Sequence, residues 1–246
     1  MLFDTHCHFD LLEDRSQWLE KCRVSGVRRF LVPGGEPCHW LQLGALVQTV
    51  SGMWAAPGVH PLAAGGWDSR TARDLEALLS QPWVVAVGEI GLDAQAEEAR
   101  CGLPVQEMVL RAQLRLARDA RLPVLIHCRR AWEKLVRILC EERASECGGI
   151  VHGFSGSVEM ARICVDMGFA IGVGGALLRA GARRPLEVAK AVPEGMLVLE
   201  TDAIGAWRGC SLVDVARRVA QLRGWSEEQT AELSTANALR ILNLKE

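Results

Sequence analysis

Two histidines one strand step apart, His6 and His8, lie in the N-terminal run Asp4-Thr-His-Cys-His-Phe-Asp10. Residues two apart on an extended strand face the same way, so both imidazoles are expected on one face, with Asp4 and Asp10 in line with them. A lone strand histidine is usually structural; a pair in this register is suited to gripping a first-row metal ion. Glu89, His127, His152 and Asp202 each stand at or near the end of their own apolar run. A carboxylate such as Glu89, placed after Val84-Val-Ala-Val-Gly88, is costly to bury without a partner, and a metal ion is a natural one. Glu200 competes with Asp202, since strand alternation gives them a common face, with Asp202 nearer the mouth.

Imidazole and carboxylate donors without thiolate spacing favour Zn, Mn, Mg, Fe or Ni. Six of them suffice for two divalent ions sharing a bridging carboxylate. Ions paired about 3.5–4 Å apart stabilise attacking and leaving oxygens in hydrolytic displacement. Asp202 is the expected acceptor of the proton from the activated water.

Other residues fit the rim of such a site. His60, in the turn Gly58-Val-His-Pro61, is expected to support the metals or touch substrate. Arg129, ahead of Arg130 and just after His127-Cys128, suits a phosphate or carboxylate group. Gly153-Phe-Ser-Gly-Ser157 can present backbone N–H groups and the Ser155 hydroxyl to an anion at a helix start. His39, in Pro37-Cys-His-Trp40, reads as structural or exposed.

The elements that must position these residues alternate along the chain. Strands are predicted at residues 1–6, 27–32, 53–56, 84–89, 122–127, 149–152, 169–173 and 196–201. Helices are predicted at 16–25, 40–50, 71–79, 104–121, 132–142, 158–167, 186–191 and 212–222. Ser226 is expected as an N-cap, with Gln229 three residues on and two short helical segments closing the chain. The polar stretch from Asp93 to Gly102 reads as solvated loop. Buried parallel strands each followed by a helix or turn predict an α/β fold, a (β/α)8 TIM barrel, in one domain over residues 1–246. The metal candidates fall near the C-terminal ends of strands one, four, five, six and eight, the face where such barrels do chemistry.

Composition bounds the rest. The 246 residues, 49% hydrophobic, are enough for a single barrel with a large core. A net charge of −2 gives no broad footprint for coating nucleic acid or an anionic membrane. Nine cysteines without a Cys-x-x-Cys pair point to reduced thiols and a cytoplasmic protein. No leader pattern and no apolar run of membrane-spanning length is expected.

The motifs Asp4-Thr-His-Cys-His-Phe-Asp10, Gly58-Val-His-Pro61, Gly88-Glu-Ile-Gly-Leu-Asp93, Ile126-His-Cys-Arg129, Val151-His-Gly-Phe-Ser-Gly156 and Leu199-Glu-Thr-Asp-Ala203 occur in this order. Together they resemble the successive signatures of the TatD family of metal-dependent hydrolases, with similarity running to Asn237-Ala-Leu-Arg-Ile-Leu242 and closest to its YjjV-like subgroup. The resemblance implies a barrel with two divalent ions (Zn, Mg or Mn) and deoxyribonuclease or phosphodiesterase activity. It implies metal roles for His6, His8, Glu89, His127, His152 and Asp202, with Glu89 bridging. Two departures bear on substrate. Ile204 replaces the proline usual after Thr-Asp-Ala, and the long Pro-rich loop that follows it in the family is missing. The segment after Asp93 lacks an aromatic residue common there.

The expected function is therefore metal-dependent cleavage of DNA or of a small phosphodiester, with no membrane and no obligate protein partner. A small-molecule amidohydrolase or lactonase is the alternative, and a non-enzymatic nucleic-acid-binding or adaptor role comes third.

Overall fold

The computed structural model describes residues 1–95, 101–205 and 211–245. Within them the strands are β1 (Leu2–Asp4), β2 (Cys7–Leu12), β3 (Val27–Gly34), β4 (Met53–Pro57), β5 (Val87–Asp93), β6 (Val124–Arg129), β7 (Gly149–Val151), β8 (Phe169–Val173), β9 (Leu197–Leu199) and β10 (Ala203–Gly205). The helices are α1 (Arg15–Val24), α2 (Trp40–Val47), α3 (Ser69–Leu78), α4 (Leu103–Ala120), α5 (Trp132–Glu141), α6 (Val158–Asp166), α7 (Arg183–Ala191), α8 (Leu212–Arg223) and α9 (Glu227–Ile241).

All the strand pairings are parallel, as short Val-, Ile- and Leu-rich strands separated by helices require. One arc runs β1-β3-β4 and the other β5-β6-β7-β8-β9. A bridge between Ala55 and Val84, just ahead of β5, joins the arcs on one side. On the other, the Thr5 N–H donates to the Leu199 carbonyl at 3.0 Å and the Asp202 N–H to the His6 carbonyl at 2.8 Å. The ring is thereby closed into an α/β barrel.

Strand alternation divides the core in two. Phe3, Leu31, Ala56, Leu125, Ile150, Ala170 and Val198 form one cluster, joined by Ala238, Leu239, Ile241 and Leu242 around the end of α9. The second, larger cluster includes Phe30, Val32, Val124, Ile126, Val151, Ile171 and Leu199 together with helix residues such as Leu114 and Leu135. Leu125 and His127, Ile150 and His152, and Val198 and Glu200 are each two residues apart. In each pair the apolar member fills the barrel and the polar one lies a step nearer its mouth.

The structure differs from the sequence expectation in several elements. The first strand is two: β1 stops at Asp4, and β2 starts at Cys7 and pairs with β10, which was not foreseen. The strand predicted to end at Glu89 runs on to Asp93, because β6 pairs with it as far as Asp93–Arg129. Gly91 permits this: its φ is 149°, and a Cβ there would lie 1.9 Å from the His127 carbonyl oxygen. The two short C-terminal helices are one, α9, capped as expected by Ser226, whose hydroxyl accepts the Gln229 N–H at 3.0 Å. Most of the polar stretch after Asp93 and the run after Gly205 lie outside the described residues. No helix among the described residues is long and apolar enough to cross a membrane.

Candidate metal centre

Six side chains from five parts of the barrel converge above its floor. His6, immediately before β2, is fully buried, and His8 on β2 is partly so. Their Nε2 atoms face each other at 3.3 Å. Glu89 on β5 is 3% exposed although it is a carboxylate, so its charge has to be met by what surrounds it. His6 Nε2 lies 3.4 Å and His8 Nε2 3.9 Å from Glu89 Oε2. The other oxygen, Oε1, receives His152 Nε2 at 2.6 Å, His127 Nδ1 at 2.8 Å and His60 Nε2 at 3.5 Å. Asp202 Oδ1 completes the first side, 3.5 Å from His8 Nε2 and 3.7 Å from His6 Nε2. Glu89 thus stands between two histidine sets, one oxygen toward each.

The donor set fits metal ions. Three imidazole nitrogens crowd one carboxylate oxygen, and two more face each other closely, an arrangement hydrogen bonds alone satisfy poorly. His6, His8 and Glu89 form one group with mutually close ligand atoms; His6, His152 and Asp202 form another, and His60, Glu89 and His127 a third. Imidazole and carboxylate donors suit Zn, Mn or Mg.

Electrostatics follows from the same geometry. Burial, reinforced by His152, pushes His6 down to about 4, so its ring is neutral and keeps a lone pair at neutral pH. Burial opposes a charge on His152, but the adjacent Glu89 carboxylate outweighs it and raises His152 to about 9. Burial would likewise raise Glu89, yet His152, His6 and His127 hold it well below the usual carboxylate range. Asp202 is also held below its ordinary value: burial is outweighed by the His8 hydrogen bond and by His6. Its side chain is 55% exposed, so it is the ionised carboxylate at the open edge.

Other expected residues fall as follows. His60 lies at the mouth; its Nδ1 accepts the Leu62 N–H at 3.2 Å, which puts the proton of the neutral ring on Nε2, the atom facing Glu89. Arg129 and Ser155 are exposed, and Arg129 donates to the Gln95 side chain at 3.3 Å. The anion loop is less open than expected. The Gly153 N–H donates to Glu200 at 2.5 Å and the Phe154 N–H to the Gly172 carbonyl at 3.4 Å.

Asp4 does not line up with the histidine pair. Its carboxylate instead accepts from the N–H and hydroxyl of Thr201 at 2.9 and 2.6 Å. Glu200 and Asp202 part company as well. β9 ends at Leu199, and Asp202 takes a left-handed φ of 54°, so alternation does not extend to it. Glu200 turns inward beneath Gly153, and burial pushes it up to about 7. Gly172 makes room for it, since a Cβ there would come within 2.3 Å of Glu200 Oε2.

Sequence reasoning gave Asp93 no role. Its Oδ2 lies 3.1 Å from His127 Nε2, on the opposite side of that ring from Glu89. With an ion at Nδ1, the ring proton would sit on Nε2 and point to this carboxylate. Strand alternation held the signal, because Glu89, Gly91 and Asp93 share a face.

A family model described as TatD related DNase matches residues 3–243. The uncharacterized metal-dependent hydrolase YabD of Bacillus subtilis is 33% identical, covering 99% of this chain and all of its own. A protein of Erwinia amylovora named 3'-5' ssDNA/RNA exonuclease TatD is 30% identical, covering 94% of this chain and 95% of its own. The crystal structure of the TatD homologue YjjV from Escherichia coli superposes with a TM-score of 0.90 at 31% identity, covering 99% of this chain and 98% of that one.

Proposed function

We propose a nuclease reading from the premise that the chain belongs to the TatD related DNase family, as a metal-dependent hydrolase of that type. The bond cleaved is a phosphodiester, and the substrate is a DNA strand shortened from one end. The observation that carries this reading is Glu89, which directs one oxygen to His6 and His8 and the other to His127 and His152. On this reading His6, His8 and Asp202 would hold one divalent cation and His127 and His152 a second, with Glu89 shared between them. Such cations polarise the phosphate and make water nucleophilic near neutral pH.

The chain's own groups supply the rest. Asp202, ionised and at the open edge of the centre, accepts the proton of the attacking water on its carboxylate. His60, whose Nε2 faces the centre 3.5 Å from Glu89 Oε1, donates its Nε2 proton to a phosphate oxygen. Arg129 pairs with a phosphate at the rim, where a guanidinium can donate two hydrogen bonds, and the Ser155 hydroxyl takes a further oxygen. Asp93 and Glu200 orient His127 and the His152–Gly153 turn. Affinity for nucleic acid comes from this locus, because the chain carries a net charge of −2. That same charge favours a second reading, in which the centre hydrolyses a small amide, ester or lactone.

The test is hydrolysis of a single-stranded oligonucleotide beside a simple phosphodiester and a panel of amides and lactones. Each is run with Mg, Mn, Zn or chelator, and with Asp202→Asn. Cation-dependent shortening of the oligonucleotide, lowered about 10²–10⁴-fold by Asp202→Asn, is the expected result. Turnover of an amide or lactone with no cleavage of DNA would overturn the substrate and keep the centre.

A further inference from the structure

Outside the central cluster, one further group of side chains among the described residues combines ligand types the barrel centre lacks. β3 ends at Gly34, and a single 3-10 turn over Pro37–His39 leads into α2. Glu36, Cys38 and His39, all exposed, bring a carboxylate oxygen, a thiol sulfur and an imidazole nitrogen within 4.8 Å of one another. The Cys38 Sγ–H already donates to Glu36 Oε2 at 3.7 Å, so a proton sits where a cation would bind both groups.

The turn is preorganised. Pro37 fixes one backbone torsion, and the His39 N–H donates to the Glu36 carbonyl at 3.1 Å. The next residue, Trp40, is 2% exposed and anchors the turn to the barrel, its indole donating to the Gly34 and Gly58 carbonyls at 3.0 and 3.2 Å. The His60 N–H donates to the Gly35 carbonyl at 2.9 Å, which places the turn beside the His60 loop at the mouth.

We propose that Glu36, Cys38 and His39 form a separate site for one borderline-soft divalent cation of the zinc type at the rim of the barrel mouth. Sulfur and imidazole donors select Zn or Co over Mg, which prefers oxygen. Binding forms the metal–sulfur bond as the Cys38 proton leaves to solvent. Three protein ligands leave a coordination position for water or an anionic group. The site is independent of the hydrolytic reading, because none of its residues belongs to the central cluster.

Thiolate ligation is what distinguishes it. Cys7 and Cys128 flank the central histidines, but both are packed in the strand–helix layer, and the six central donors include no sulfur. Titrating the full chain with Co(II) is expected to produce a thiolate-to-cobalt charge-transfer band in the near ultraviolet. Cys38→Ser should abolish the band, and Glu36→Gln or His39→Asn should shift its midpoint to higher Co(II). Zn(II) should slow alkylation of Cys38 by iodoacetamide while Cys140, also exposed, reacts at its unprotected rate. Circular dichroism and melting of Cys38→Ser should match the parent, so loss of the band cannot be put down to misfolding. A chain saturated with Co(II) that shows no such band, a band surviving Cys38→Ser, or Cys38 alkylation indifferent to Zn(II) would each overturn the proposal.

Discussion

Asp4 and Thr201, 197 residues apart, are joined by two hydrogen bonds to one carboxylate, the Thr201 N–H to Oδ1 at 2.9 Å and its hydroxyl to Oδ2 at 2.6 Å. The same carboxylate accepts the His6 N–H at 3.3 Å. It therefore ties the backbone ahead of His6 to the backbone ahead of Asp202, across the seam where the barrel closes. Asp202 sits in the left-handed region, a conformation that surrounding bonds must hold. Asp4→Ala should cost on the order of 3 kcal/mol, since it leaves buried donors unpaired. Asp4→Asn, which keeps an acceptor for the Thr201 N–H, should cost less. Denaturant unfolding measures both. In the Asn variant kcat should fall more than bound cation content, because Asp202 is displaced while the histidines stay in place; equal losses would mean that Asp4 merely supports the fold.

Asp93 acts on the second histidine set. Without its carboxylate the His127 ring is free to carry its proton on Nδ1, the atom turned to Glu89. On the proposed two-cation reading, Asp93→Ala should weaken binding of one cation by about 10–100-fold and leave the other nearly unchanged. Cation binding followed by calorimetry on the chelated protein would resolve the two. A uniform loss at both sites would argue against a role confined to His127.

Much of this centre is legible in sequence because burial forces it. Glu89, His127 and His152 follow apolar strand residues, where an unpartnered polar group is costly, and strand alternation turns each into the barrel. Alternation fails where a strand ends. Asp4 and His6 lie on either side of a break between β1 and β2, and Asp202 lies beyond β9, so period-two reasoning misassigned Asp4 and put Glu200 and Asp202 on a common face. Asp93 was hidden for a different reason: Gly91 prolongs β5 past the point where its apolar run stops. The two expected helical segments are one because α9 runs unbroken through Ser234 and Thr235, both buried. In the fold the Thr235 hydroxyl donates to the Met1 carbonyl at 3.0 Å and that of Ser234 to Ala231 at 3.4 Å.

His60 separates substrate contact from metal ligation. The Leu62 N–H occupies its Nδ1, so Nε2 bears a proton and can donate but not ligate. His60→Asn keeps an acceptor for Leu62 and loses the Nε2 proton. For a phosphodiester substrate, kcat/KM should fall about 10–100-fold, the loss of a hydrogen bond to a charged group, while cation stoichiometry stays the same. A fall in stoichiometry would make His60 a ligand instead.

The imidazoles also set a pH dependence that differs with and without cations. In the cation-free chain His152 is raised to about 9, and His8 and His127 are raised as well, each by carboxylates that outweigh burial. A raised folded value means that the native chain binds protons more tightly than the unfolded one. The resulting stabilisation is fully present below about pH 6.5, the ordinary histidine value, and fades as pH climbs through 9. Between pH 7 and 9 the chelated protein should therefore melt at progressively lower temperature. Cations need the unprotonated rings, so they compete with these protons, and apparent affinity at the His152 side should increase by up to about tenfold per pH unit over the same range. The gap in melting temperature between loaded and chelated protein should accordingly widen from pH 7 to pH 9. A gap that stays constant or narrows would show that no proton leaves when the cations bind, and would remove His152 from the ligand set.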